Sequence, residues 1–473
     1  MRYIHQKEKS LEFENALCYY KNVNNNGGFD MAGECELREL LKVELYQLKE
    51  EGREIDIDFW LNEINACNNE KSKLMDVYAK LCELPVRSDY PYIEPSELDE
   101  IYAESDINKL PDDKYEEIDS DYFRGAWLGR CIGCAFGQPV EGWMSDKIIE
   151  WYKAAGKYPI RYFVPTVSGE NRSAHPSSDE NLKGMPLDDD TRFTVINYLL
   201  LGKKGYEVDS WDVAEHWIRT LPYRFVFTAE TQSYLNFINL DECTHWRKPE
   251  GAVDIMRRER VSSYLNPYRE WIGAQIRCDA FAYVAAGMPK LASKLAHVDA
   301  FFSHVKNGIY GEMFFAALIS AAFTEKNVDK CFETALSVIP KKSRFYEEAL
   351  WAKALAESDI SREDLILSLI ERGSKYNWVH TINNAAFCIA AITRYKNDFR
   401  NAVAFAIECG ADTDCNGATV GSFMGALLGE KGIPNDLSTA MRDTFSVGVS
   451  PYDNYSIRKF ADEVKAFREK LNA

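Results

Sequence analysis

The sequence predicts an all-α fold, and three observations predict it. Apolar residues recur at three- and four-residue intervals through nearly every segment after residue 120, which is the spacing of a helix with one buried face. Strand signals are scarce, and RYFVPTV, residues 161–167, is the best short candidate. Finally, 46% of the 473 residues are hydrophobic, enough for helices to pack around a large core.

The elements follow in order. Residues 1–85 read as amphipathic helix, with AGECELRELLKVELYQLKEEG and DIDFWLNEINACNNEKSKLMDVYAKLCEL placing apolar residues at helical spacings. From 86 to 120 the composition turns to proline and acid, the mark of a connecting segment over a surface. Its Tyr90, Tyr92 and Tyr102 predict that it is docked. Helical periodicity then recurs over 120–137, 189–202, 207–219, 272–287, 311–325, 346–356, 384–396, 399–409 and 416–428. There is no internal repeat and no low-complexity tract. The expected organisation is a helical N-terminal extension with its docked linker, residues 1–118, followed by one compact multi-helix domain, residues 119–473.

Composition excludes some partners. A formal net charge of -18 without Lys or Arg clusters argues against nucleic-acid binding. The longest apolar run, MFFAALISAAF at 313–323, falls far short of the ~20 residues of a membrane span. The N-terminal MRYIHQKEKSLEFEN lacks the apolar segment of a leader peptide, so a cytoplasmic location is expected. Twelve cysteines lie scattered without a disulfide-framework spacing, which suits reduced thiols. Cys131 and Cys134 form the one close pair. In an apolar, glycine-rich setting with no second pair, they read as small helix-packing residues in preference to a zinc or redox site.

Three places combine carboxylates with sharp turns. In GQPVEGW, Gly137 and Pro139 end a helix and leave Glu141 just beyond it. In MPLDDDTRFTV, Asp188, Asp189 and Asp190 open an apolar helix. One aspartate suffices for an N-cap worth about 1 kcal/mol, and three in a row repel each other. In ECGADTDCNGATVGSFMGALLG, Gly410 reads as a helix stop and Cys415 or Asn416 as the start of the next helix. Asp412 and Asp414 lie on the turn between. Gly417, Gly421 and Gly425 at four-residue spacing let another helix approach closely, so that turn is expected to sit deep. Together these are hard oxygen donors, which suit Mg2+ or Mn2+ and not zinc, since no histidine cluster of suitable spacing accompanies them. Six carboxylates would offset two divalent cations. Without cations, each like-charge pair at ~4 Å would cost roughly 1–4 kcal/mol.

RGAWLGRCIGCAFGQPVEGW, LDDDTRFTV, NPYREWIGAQIRCDAFAYVAAGMP, SHVKNGIYGEMFFAALISAAF and the stretch from HTINNAAF to GSFMGALLG, in that order, resemble the ADP-ribosylglycohydrolase family, which includes the dinitrogenase reductase-activating glycohydrolase. The resemblance spans residues 120–430. It implies an all-helical fold with a binuclear magnesium or manganese site that holds the distal ribose of ADP-ribose, where the bond at the anomeric carbon is cleaved. By motif, Asp188, Asp189 and Asp190 match the family's Thr-Asp-Asp metal segment, with Asp188 where many members have Thr. Asp412 and Asp414 match its Asp-x-Asp segment, and Cys415 stands at a ligand Thr. A thiol is a poor partner for Mg2+, so the resemblance leaves open whether one or two ions bind. It implies that Glu141 positions or activates the attacking water, with Asp414 beside it in the catalytic group. Gly273 and Ala274 in IGAQIRCD are expected to let backbone approach a diphosphate. Arg277 is either a phosphate contact or a buried partner for Asp279 or the metal-site acids. His304 matches a position near the ligand, against an alternative as a capping or core histidine, and His380 and Asn383 are expected to line the same cleft.

The implied activity is metal-dependent removal of ADP-ribose from a modified protein side chain, or cleavage of a related ADP-ribosyl small molecule. The acceptor, whether Arg, Ser or another group, is not set by these motifs. Two rival classes are a catalytically inactive ADP-ribose-binding or crystallin-like relative, and an immunity protein that binds an ADP-ribosyltransferase toxin through its N-terminal residues. Glu141 and the five aspartates argue against the first. Residues 86–118 are also expected to fold over the ligand cleft.

Overall fold

The computed structural model describes residues 36–244 and 247–473. The start of the N-terminal extension, including the segment read above as lacking a leader, lies outside the described residues. Within them the chain is helical, with isolated bridges in place of any strand. The all-α expectation is met. The helices that build the core and frame the site are α1 (Leu37–Glu50), α2 (Ile57–Ala66), α3 (Lys71–Cys82), α4 (Ser120–Gly137), α5 (Asp189–Lys204), α6 (Ser210–Thr220), α7 (Pro289–Ser303), α8 (Lys306–Ala322), α9 (Arg344–Glu357), α10 (Thr381–Arg394), α11 (Phe399–Glu408), α12 (Thr413–Leu428) and α13 (Ile457–Leu471).

The antiparallel pair α4 and α12 forms the centre. Gly125, Gly129 and Gly133 of α4 lie against Gly425, Gly421 and Gly417 of α12, and a Cβ on any of them would collide with backbone of the facing helix. The glycine spacing seen in the sequence is therefore a seam where two backbones touch. Around it pack α11, whose Phe399 and Ile407 reach the seam, and α13, whose Asp462 accepts two bonds of 2.8 Å from Arg124. Local chemistry sets the helix starts. Asp209 and Asp212 form a capping box at α6, and Asp188 caps α5 by accepting from Asp190 N at 2.9 Å.

RYFVPTV is not a strand. Its backbone groups are taken up locally: Val164 O accepts from Asp179 N, Pro165 O from Trp151 Nε1, and Val167 N donates to Ser173 Oγ. Pro165 lacks a donor of its own, so the run has little to offer a neighbouring strand.

Helices α1 to α3 close a small core of their own around Leu41, Leu45, Leu48, Ile64, Leu74, Val77 and Leu81. They dock through buried charge. Arg269 reaches Glu44 and Glu51, each at 2.7 Å, and Lys306 reaches Glu51 at 2.7 Å. The connecting segment continues this seam, with Glu94 bound by Arg344 at 2.7 Å. Asp113 accepts from Leu291 N at 2.7 Å, and Pro95 O accepts from Tyr310 Oη. Residues 86–118 are docked as expected, but their bonds run to α7, α8 and α9 and not over the carboxylates. Glu94 and Asp113 each follow a basic or N–H partner on those helices, which helps to fix the segment's course.

Candidate active site

Backbone pairing brings the Glu141 turn to the Asp412 turn. Gly142 N donates to Ala411 O and Ala411 N to Trp143 O, both at 2.9 Å, while Thr413 Oγ1 donates to Gly137 O at 2.8 Å. Gly410 and Ala411 both hold positive φ, 78° and 65°, which turns the chain sharply enough to start α12 at Thr413. The helix begins two or three residues earlier than the sequence suggested, so Asp414 sits in its first turn and Asp412 at the N-cap. Asp412 has no regular capping bond, although the backbone and side chain of Cys415 hydrogen-bond its carboxyl, and Asp414, inside the first turn, is not the N-cap.

Three groups of donor atoms result, each with its atoms within 4.8 Å of one another: Glu141, Asp412 and Asp414; Asp190, Asp414 and Cys415; and Cys134, Asp188 and Asp190. The shared members Asp414 and Asp190 join the three into one cluster, which Asp189 adjoins on α5. All four of Asp188, Asp190, Asp412 and Asp414 are buried, and Glu141 and Asp189 are half-buried.

Electrostatics follow from that crowding. Burial pushes the Asp189 carboxyl up to about 7, and Asp188 beside it adds to the shift against Arg192. Asp412 is pushed up to about 6 by burial, although hydrogen bonds with Cys415 and Asp414 restrain it. Burial raises Asp414 well above the carboxylate range, and Glu141 and Asp412 raise it further. Asp190 is raised the same way, by burial and then Asp188. Asp190 Oδ2 and Asp414 Oδ1 are buried with no hydrogen-bond partner. Acids that resist ionisation together and leave oxygens unpaired fit a divalent cation, which would satisfy both at once.

Three residues that support the cluster escaped the sequence reading. Arg130, without solvent exposure, donates to Asp190 O from Nε at 2.9 Å and from Nη2 at 2.7 Å, and to Asp279 Oδ2 from Nη1 at 2.6 Å. Gln138 donates to Asp188 Oδ2 at 2.7 Å and accepts from Ser177 Oγ. Asn384 Oδ1 accepts from Asn416 Nδ2 at 2.7 Å and from Asp412 N at 3.4 Å. Cys134, read as a packing residue, lies with Asp188 and Asp190.

The residues expected to meet the ligand have the following protein neighbours. Arg277 has no solvent exposure, and its guanidinium is used by Glu230, Asp299 and Ser303. It is a buried partner, but of neither Asp279 nor the cluster acids, because Arg130 already holds Asp279. Glu230's carboxylate fills the space where a Cβ on Gly273 would stand. The close approach that this glycine permits is to an acid, and Ala274 is wholly buried. His304 is buried against Ser303 at 2.8 Å. His380 caps α10 through Ile382 N at 3.1 Å and lies 3.5 Å from Glu50. Asn383 donates to Asn377 O at 3.1 Å, while its neighbour Asn384 faces the cluster.

The sequence model of the ADP-ribosylglycohydrolase family matches residues 116–471. An uncharacterized protein of Archaeoglobus fulgidus is 21% identical over 324 residues, which cover 68% of this chain and 92% of that protein. A solved structure titled "ADP-ribosylglycohydrolase-related protein complex" aligns with a TM-score of 0.43 at 16% identity, over 75% of this chain and 99% of its own. No helix among the described residues is long and apolar enough to cross a membrane.

Proposed function

The chain belongs to the ADP-ribosylglycohydrolase family, and we propose that it hydrolyses the bond at the distal ribose of an ADP-ribosylated protein side chain or a related ADP-ribosyl compound. The observation that carries this reading is the convergence of Glu141 with Asp188, Asp190, Asp412 and Asp414, two of whose buried oxygens lack any partner. Asp188, Asp189, Asp190, Asp412 and Asp414 would hold two divalent cations. Bound there, the ions supply Lewis acidity and orientation toward the ribose diol.

The protein's own groups do the rest. Glu141, half-buried at the edge of the cluster, takes the proton of the attacking water as the anomeric carbon accepts the oxygen. The glycosidic bonding pair leaves with the acceptor atom, which takes up a proton from Glu141 or solvent. Asp414 beside it supplies the second carboxylate of this group. Arg130 and Gln138 keep Asp190 and Asp188 from turning away, so that less of the barrier is spent on orientation. Residues 119–473 form the catalytic domain in this reading and residues 1–118 an extension docked to it, a division supported by the start of the family match at residue 116.

The test incubates the purified chain and Mg2+, Mn2+ or Co2+ with Arg-linked, Ser-linked and O-acetyl ADP-ribose and reads free ADP-ribose. Release from one of them supports the proposal and identifies the linkage. Release from none overturns it.

A further inference from the structure

Two of the three donor groups contain a sulfur atom. Cys415 Sγ lies with Asp190 and Asp414, and Cys134 Sγ with Asp188 and Asp190. The first of these groups is distinctive, because both of its carboxylates, Asp190 and Asp414, carry a buried oxygen without a partner. Cys415 itself is 7% exposed, and its place in the first turn of α12 is fixed by the glycine seam and by Asn384, which holds Asn416. A thiol in that position contributes nothing to an all-oxygen Mg2+ site. Mg2+ demands near-octahedral hard donors, whereas a thiolate binds later first-row ions more strongly.

We propose that Cys415 is a metal ligand and that its pocket with Asp190 and Asp414 selects a late first-row divalent ion such as Co2+, Fe2+ or Zn2+ over Mg2+. Binding exchanges the thiol proton for the ion, and the proton leaves to solvent. Zinc lacks a histidine cluster in this sequence, and here sulfur and carboxylate replace it as donors. The proposal rests on the glycohydrolase reading, since it takes the same cluster as a metal site. The competing role for Cys415 is a hydrogen bond with Asp412, one of the bonds that restrain that carboxyl.

The experiment uses the full chain, stripped with a chelator, and titrates it with CoCl2 while recording the near-ultraviolet spectrum. A thiolate-to-cobalt charge-transfer band is expected in the parent and in Cys134→Ala, and is expected to vanish in Cys415→Thr. Co2+ affinity of Cys415→Thr should fall by about tenfold or more, since even changes around the ligands cost that much, while its Mg2+ affinity holds or rises. If the threonine variant does not fold, Cys415→Ser replaces it. Cobalt bound without the band, or bound equally by parent and threonine variant, overturns the proposal and leaves the hydrolase reading standing. A band lost in Cys134→Ala and kept in Cys415→Thr also overturns it, since the sulfur donor is then Cys134. Failure to bind any divalent ion overturns both.

Discussion

Arg130 Nη2 lies 3.2 Å from Asp190 Oδ1, and neither side chain reaches solvent. The guanidinium also holds Ile276 O at 2.6 Å and Asp279 at 2.6 Å, so one side chain ties α4 to the start of α5 and to the segment around residue 277. Arg130→Met leaves Asp190 and Asp279 buried without their cation, and should cost on the order of 3–5 kcal/mol in denaturant unfolding. Arg130→Lys should recover only part of this, because an ammonium cannot span three acceptors in a plane. A lysine variant as stable as the parent would show that charge alone matters there.

The glycine seam makes a sharper demand. Gly133→Ala sets a methyl group against the Gly417 carbonyl, and backbone cannot yield as a side chain can. The expected loss is at least the 1–3 kcal/mol of ordinary overpacking, roughly. Gly202→Ala, also within a helix but with open space around its Cβ position, should be neutral or stabilise by about 0.4–1 kcal/mol. Equal melting temperatures for the two variants would contradict the close approach of α4 and α12.

What the sequence disclosed and withheld divides along physical lines. Three acidic turns were legible because three neighbouring aspartates and an Asp-x-Asp turn exceed what capping requires, and they do converge. The α12 side of the seam was legible from its glycine spacing. Arg130 and Gln138 were not, since their partners Asp190 and Asp188 lie 60 and 50 residues away, and periodicity reports a buried face without naming what covers it. Asn383 and Asn384 show the same limit at single-residue scale. Both are polar positions in one helical turn, and only packing decides that Asn384 faces Asn416. RYFVPTV misled because β-branched and aromatic content marks burial as well as strands.

The N-terminal unit should confer a pH dependence. Burial pushes the Glu50 carboxyl up to about 8, with Glu270 and Glu51 adding to the shift against Arg344. The unfolded chain releases this proton near 4.5, the ordinary value. The folded state therefore binds more protons between these limits, and the group's contribution to stability is full below 4.5 and declines as pH rises toward 8. Glu50→Gln cannot ionise, so it should gain stability relative to the parent between about pH 5 and about pH 9. A parent-to-variant difference that is constant over that range would rule out the shift.

Glu141→Gln keeps the shape of the side chain and removes a base. Turnover should fall by about 10²–10⁴-fold with little change in KM. Metal binding followed by calorimetry should persist. Turnover equal to the parent's would remove Glu141 from the proposed role.

Asp414→Asn separates a metal site from a helix start. In chelator, Asp414 is buried among Glu141, Asp412 and Asp190 with one oxygen unpaired, and its raised carboxyl costs stability at neutral pH whether it is ionised or held protonated, so a neutral asparagine should raise the Tm. An ion that binds only the folded protein stabilises it by RT ln(1 + [L]/Kd), about 2.7 kcal/mol at a hundredfold excess over Kd. The parent should therefore gain stability on addition of a divalent cation, and Asp414→Asn should gain little, because it has lost a member of two of the three donor groups. The two effects have opposite signs, so the melting curves of parent and variant should cross in rank between chelator and metal. If the first turn of α12 only needs a polar residue near its start, asparagine serves about as well as aspartate, and the variant would match the parent in chelator and in metal alike. That result would reduce the convergence of acids to a feature of folding and remove the support on which the hydrolase reading stands.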